Sequence, residues 1–118
     1  MKKEYSIVLA LMLMIFGEIL TIYSEVYSAK LPGKLLESPG MFLKPMVFIS
    51  IAGISLVFAY WLGYRATGNI WVVTVASLTL LLILEPIVIY AMLREIPQRG
   101  AIIGFILGAA GLISTVAL

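Results

Sequence analysis

Ile7-Val8-Leu9-Ala10-Leu11-Met12-Leu13-Met14-Ile15-Phe16-Gly17-Glu18-Ile19-Leu20-Thr21-Ile22-Tyr23 sets one carboxylate in the middle of a run that is otherwise almost wholly apolar. The run is long enough, and continuous enough, to read as a helix that crosses a bilayer. A charged side chain at that depth costs about 2.5–3.5 kcal/mol on insertion scales and more by other reckonings. An ionisable residue kept there is a functional-site candidate by default. The flanks agree with a span: Lys2 and Lys3 precede it, and the apolar stretch from Tyr5 to Tyr27 is too long for the core of a secretory signal.

Working outward, three further segments share this character. The expected helices cover about 5–28, 45–64, 70–93 and 101–118, each near the roughly 17–25 residues that span hydrocarbon. Their apolar residues are continuous instead of alternating, which argues against a barrel. The fold class is therefore all-α: a single transmembrane domain over residues 1–118, built as a four-helix bundle. The connections carry turn residues, with Pro32-Gly33 and Pro39-Gly40 in the first, Arg65 to Asn69 as the second and Arg94 to Gly100 as the third. Leu35, Leu36, Met41 and Phe42 are placed on the membrane surface.

Composition narrows the chemistry. Of 118 residues, 63% are hydrophobic and 12% charged, and the mean hydropathy is +1.14. A soluble chain of this length cannot hide so much apolar surface, so the expected setting is the cell membrane, as a multi-pass protein. The chain has no cysteine, no histidine and no aspartate. Disulfides, thiolate metal sites, triad catalysis and the usual zinc ligand sets are excluded by inventory, and neither a metal, a cofactor nor an enzymatic activity is expected. A net charge of +2 gives no argument for nucleic acid.

The first helix carries a polar stripe. Gly17, Glu18, Thr21, Ser24, Glu25 and Ser28 recur at helical spacing and share one face. Lipid does not reward such a face, so it belongs against other helices or a wet cavity. The third helix carries a second acid, Glu85, directly before Pro86. Proline frees the carbonyl one turn back, at Leu82, and a broken helix beside a carboxylate can hold a cation or proton. Thr74 and Ser77 lie two to three turns before Glu85. In the fourth helix, Gly104, Gly108 and Gly111 form small-xxx-small steps that let another helix approach closely. Four helices enclose little space for a substrate path, which favours a homodimer packed through that helix.

These features together resemble the small multidrug resistance family, within the drug/metabolite transporter superfamily. The layout is similar over nearly the whole chain. Gly17-Glu18 followed by Tyr23-Ser24-Glu25 resembles the family's first helix, with its membrane-embedded glutamate. Tyr64-Arg65-Ala66-Thr67-Gly68 resembles the loop between its second and third helices. Ala101-Ile102-Ile103-Gly104, with Leu107, Ala110 and Gly111, resembles its dimer-packing fourth helix. Registering the chain on Ser24-Glu25 sets Met14 at the glutamate position. Registering it on Gly17-Glu18 needs a longer first loop, which this chain has, and that register is preferred. Thr74-Val75 stand where a Trp-Ser pair is typical, and Glu85-Pro86 departs from the drug-exporter pattern.

The resemblance implies proton-coupled exchange of a small cationic or metabolite substrate. Two Glu18 carboxylates would face each other across a homodimer, and substrate and protons would compete for them. The candidate substrate- and proton-binding residues are Glu18, Glu85, Thr21, Ser24, Trp71 and Tyr60. Two other readings stay open: a non-transporting membrane assembly subunit whose partner pairs with Glu18, and a relative that translocates lipid-linked sugars. Parallel and antiparallel dimers are equally open. Lys2, Lys3 and Arg65 lie on the side of the termini, and Lys30, Lys34, Lys44, Arg94 and Arg99 on the other, so the charge bias that sets orientation is small.

Overall fold

The computed structural model describes residues 2–31 and 39–118. The expected Pro32-Gly33 turn and the surface placement of Leu35 and Leu36 lie outside the described residues. Four helices follow one another: α1 (Lys3–Ala29), α2 (Leu43–Thr67), α3 (Ile70–Leu93) and α4 (Arg99–Ala117), with a 3-10 turn over Pro39–Phe42 leading into α2. There is no strand among the described residues. Three of the helices, α1, α2 with its leading turn, and α3, are long and apolar enough to cross a membrane, and α4 is a shorter apolar helix. The chain is an all-helical protein of the kind that fits a membrane-embedded bundle.

Local chemistry sets the boundaries. α2 runs on to Thr67, three residues past the expected Tyr64, and leaves only Gly68-Asn69 before α3. Gly68 adopts the left-handed conformation, φ 69°, that glycine takes without a Cβ clash, and its N–H donates to the Tyr64 carbonyl at 2.7 Å. Asn69 then caps α3, its Oδ1 accepting from the Trp71 N–H at 2.9 Å. α3 closes less comfortably, on Arg94 at φ 57°. Pro86 lies inside α3, and the helix continues through it to Leu93. The break expected at Glu85-Pro86 is thus absent: the missing N–H costs one hydrogen bond, and the turns on either side hold the helix together.

Packing is antiparallel from each helix to the next. α1 and α2 form the tightest seam. The buried residues of α2 are Pro45, Ala52, Ser55, Ala59 and Gly63, nearly all of them small, with Ala52 and Ser55 facing α1 in this seam. At the middle of this seam a Cβ on Gly17 would lie 2.7 Å from Leu56 Cγ and 3.1 Å from the Ala52 carbonyl oxygen, so only glycine fits there. Ser55 Oγ donates across the seam to the Leu13 carbonyl at 2.7 Å. Near the end of the seam the Lys44 ammonium sits 4.9 Å from the Tyr27 ring centre and under 6 Å from those of Tyr23 and Phe48. α3 lies against both partners, Val73 packing on Gly63 and joining Met14 and Ala59 in the apolar core. α4 packs on α3 alone among the closer contacts, and none of its described residues is buried.

The result is a slab, 49 × 35 × 21 Å. Its accessible surface is 8161 Å², where a compact soluble chain of this mass shows about 6,300 Å². Large apolar side chains stand exposed on all four helices, including Val8, Met12, Phe16, Ile54, Val57, Phe58, Ile83, Ile87, Ile106 and Leu107. Apolar surface on that scale calls for lipid or for partner helices to cover it.

Candidate functional site

Glu18 lies midway along α1 and is 5% exposed. The residues around it explain the burial. Ala10, Met14, Gly17, Ile22 and Ser24 make up the rest of the buried face of α1. Glycine at position 17 lets α2 come close on one side. On the other side α3 brings Ser77, whose hydroxyl donates to Glu18 Oε1 at 2.7 Å. Ser77 is itself buried. The only ion pair among the described residues is Lys30–Glu95, at 3.4 Å and well exposed, so Glu18 has no cation of its own. Its second oxygen has no hydrogen-bond donor among the described residues, yet it is not fully enclosed. This arrangement gives a buried carboxylate anchored by one neutral hydroxyl, with one oxygen left to take a proton or a cation.

The other candidates fall into separate places. The Thr21 hydroxyl donates to the Gly17 carbonyl at 2.8 Å and the Ser24 hydroxyl to the Leu20 carbonyl at 2.7 Å, both within α1. Their donors are spent on the helix backbone, as Ser and Thr commonly do in apolar surroundings, and only their lone pairs remain to face a guest. Tyr60 is half-buried and packs on the cluster of Met14, Ala59 and Val73, one turn of α1 below Glu18. Met14, the alternative register position, is a core residue in that cluster, 2% exposed. Glu85 is partly buried farther along α3. Trp71 is 71% exposed at the start of α3 and lines an open crevice with Val72, Val75, Ala76 and Thr115, away from Glu18. The fold thus joins Glu18 to Ser77 and leaves Trp71 apart from that pair, while Glu85, farther along α3, lies within electrostatic reach of Glu25 and Glu18.

Two members of the site region escape a reading by residue type. Ser77 lies two turns before Glu85 on α3, yet its partner is Glu18 of α1. Ser55 carried no signal, being one hydroxyl among many on an apolar helix. At the end of α1, Ser24, Glu25 and Ser28 line a crevice of about 370 Å³ with Phe42, Pro45, Met46 and Ile49.

No protein-family model, curated protein or solved structure matches the chain.

Proposed function

We propose that the chain is a small membrane transporter in the cell membrane, one that exchanges protons for a small cationic or metabolite substrate, with Glu18 as the coupling carboxylate. The observation that carries this reading is the state of Glu18: buried in mid-helix, held by Ser77 alone, and free of any salt bridge among the described residues. A carboxylate kept merely to tie helices together would be better matched with a cation, because an unpaired charge in hydrocarbon is costly. A carboxylate that alternates between proton and substrate must lack a permanent partner. The resemblance to the small multidrug resistance family supports the same assignment. A homodimer completes the reading, since one slab of four helices cannot enclose a path, and the open face of α4 is its contact surface. Competition of proton and cation for the Glu18 pair couples their movements in opposite directions, and rocking of the subunits gives alternating access.

A second reading keeps its place on one observation. The second oxygen of Glu18 has no donor among the described residues, which leaves it for a basic residue of a larger membrane assembly if the chain is a non-transporting subunit. One measurement separates the two. Detergent-purified protein in weak buffer is mixed with a lipophilic quaternary cation, with guanidinium, or with sodium as control. A transporter of this kind releases protons when its cation binds, and Glu18→Gln abolishes the release. A subunit releases none with any cation.

A further inference from the structure

At the end of the molecule opposite the Glu25 crevice, the first turns of α1 meet the last turns of α2 around an open crevice of about 580 Å³ lined by Lys3, Ser6, Trp61, Leu62, Arg65 and Ala66. Four of these carry donors, Lys3, Ser6, Arg65 and the Trp61 indole N–H. Neither Lys3 nor Arg65 takes part in an ion pair among the described residues, and the Ser6 hydroxyl has no hydrogen-bond partner among them. Arg65 is placed by Trp61: its guanidinium lies over the indole, 4.9 Å from the ring centre. A guanidinium held over a ring in this way keeps N–H groups for an oxyanion. α1 begins in the same crevice with no side-chain cap on its first turn, so its free N–H groups add positive potential. Glu4, the acid of that turn, is exposed and does not line the crevice.

We propose that this crevice binds an anionic phosphate group, held by Lys3, Ser6 and Arg65 with Trp61 as its wall. The level in the fold fits a headgroup. Exposed Tyr5, Trp61, Tyr64 and Trp71 mark this end of the bundle, and Trp and Tyr collect where hydrocarbon meets headgroups. Basic pockets between helices at that level take anionic lipid heads, and a free phosphate offers the same oxygens. The site is independent of the Glu18 reading: it takes an anion, at the helix ends, and stands whether or not the chain transports anything.

The test uses the full chain in nanodiscs of mixed phosphatidylcholine and phosphatidylglycerol, released into native mass spectrometry. The wild type retains phosphatidylglycerol over phosphatidylcholine. Lys3→Gln and Arg65→Gln each lower that preference roughly fivefold, as expected for one charge at a membrane surface. Arg65→Lys keeps the charge without the guanidinium fork and falls between. Lys44→Gln and Arg99→Gln, at the other end, leave the preference intact. Excess inorganic phosphate then identifies the source: lipid retention that persists assigns the site to headgroups, and phosphate binding that displaces lipid, or occurs without lipid preference, assigns it to a soluble anion. A wild type that shows no preference for the anionic lipid and no binding of phosphate overturns the proposal. So does an equal loss of preference in the variants at the opposite end.

Discussion

At the scale of single residues, the Glu18–Ser77 pair separates a working carboxylate from a structural one. Ser77→Ala removes the only donor to Oε1 among the described residues. Interhelical hydrogen bonds inside membranes average about 0.6 kcal/mol and reach about 1.7, so a small fall in thermal stability in detergent is expected, with proton release on cation binding retained. Glu18→Gln keeps an acceptor for the Ser77 hydroxyl and removes the titrating group. Stability should change little, whereas cation-linked proton release should disappear. Glu18→Asp, shorter by one methylene, should retain part of the binding. If Glu18→Gln instead exchanges cations for protons as the wild type does, the coupling mechanism is wrong. The depth of Glu18 is visible in the sequence because eleven apolar or small residues precede it without a charge, from Ile7 to Gly17. Its partner is not visible. Ser77 lies 59 positions away, and which hydroxyl of α3 reaches α1 depends on the rotation of α3 about its axis, which a uniformly apolar helix leaves unmarked.

At the scale of helices, the seam between α1 and α2 and the free side of α4 make opposite predictions for the same kind of change. Gly17→Ala places a methyl against Leu56 and, less forgivingly, against the Ala52 carbonyl. Overpacking of this kind costs about 1–3 kcal/mol, and it should lower the melting temperature and spread the hairpin on which Glu18 rides. On α4, a Cβ at Gly104 or Gly111 meets nothing within 4 Å, whereas one at Gly108 would touch Leu82 of α3 at 3.5 Å. Gly104→Leu and Gly111→Leu should therefore leave the fold of one chain unchanged. If α4 is the dimer contact, both should shift the protein to monomer in sizing and cross-linking experiments. Gly108→Leu should loosen α4 from α3 first. Unchanged dimers in the Gly104 and Gly111 variants would exclude this face as the contact. The glycines of α4 are legible because they interrupt a smooth apolar helix. The packed face of α2 is harder to read: Ala52, Ser55, Ala59 and Gly63 are small residues scattered among others equally small, and only the approach of α1 and α3 shows which of them matter. The C-terminal end of α2 hides for a related reason. Arg65 and Thr67 look like loop residues, but Arg65 can complete the last turn favourably at a helix C-terminus, and the real stop is the left-handed Gly68.

At the scale of the whole molecule, the antiparallel order of helices sorts the charges into two ends. Lys3 and Arg65 share one crevice, with Lys2 beside them. Lys30 meets Glu95 at the other end, where Lys44, Arg94 and Arg99 also lie. Among the described residues that is three basic residues at the end of the termini and four at the other, and the sequence order of the segments adds Lys34 to the second group, eight in all. Orientation in a membrane follows such counts in short loops, the richer side staying in the cytoplasm. A bias of two is small, and the arrangement within the bundle does nothing to enlarge it. An antiparallel dimer requires both insertions of one sequence, and it would supply from two chains the inverted symmetry that longer transporters encode in one. The expected outcome is that a reporter fused after Leu118 appears on both sides of the membrane. Two lysines added after Leu118 should draw the termini towards the cytoplasm, and removal of Lys2 and Lys3 should drive them outward. Each shift should lower transport, because each starves the dimer of one of its two orientations, and co-expression of the two oppositely biased variants should restore it. A reporter confined to one side in cells that still transport would exclude the antiparallel dimer and leave a parallel pair or a heteromeric partner around Glu18.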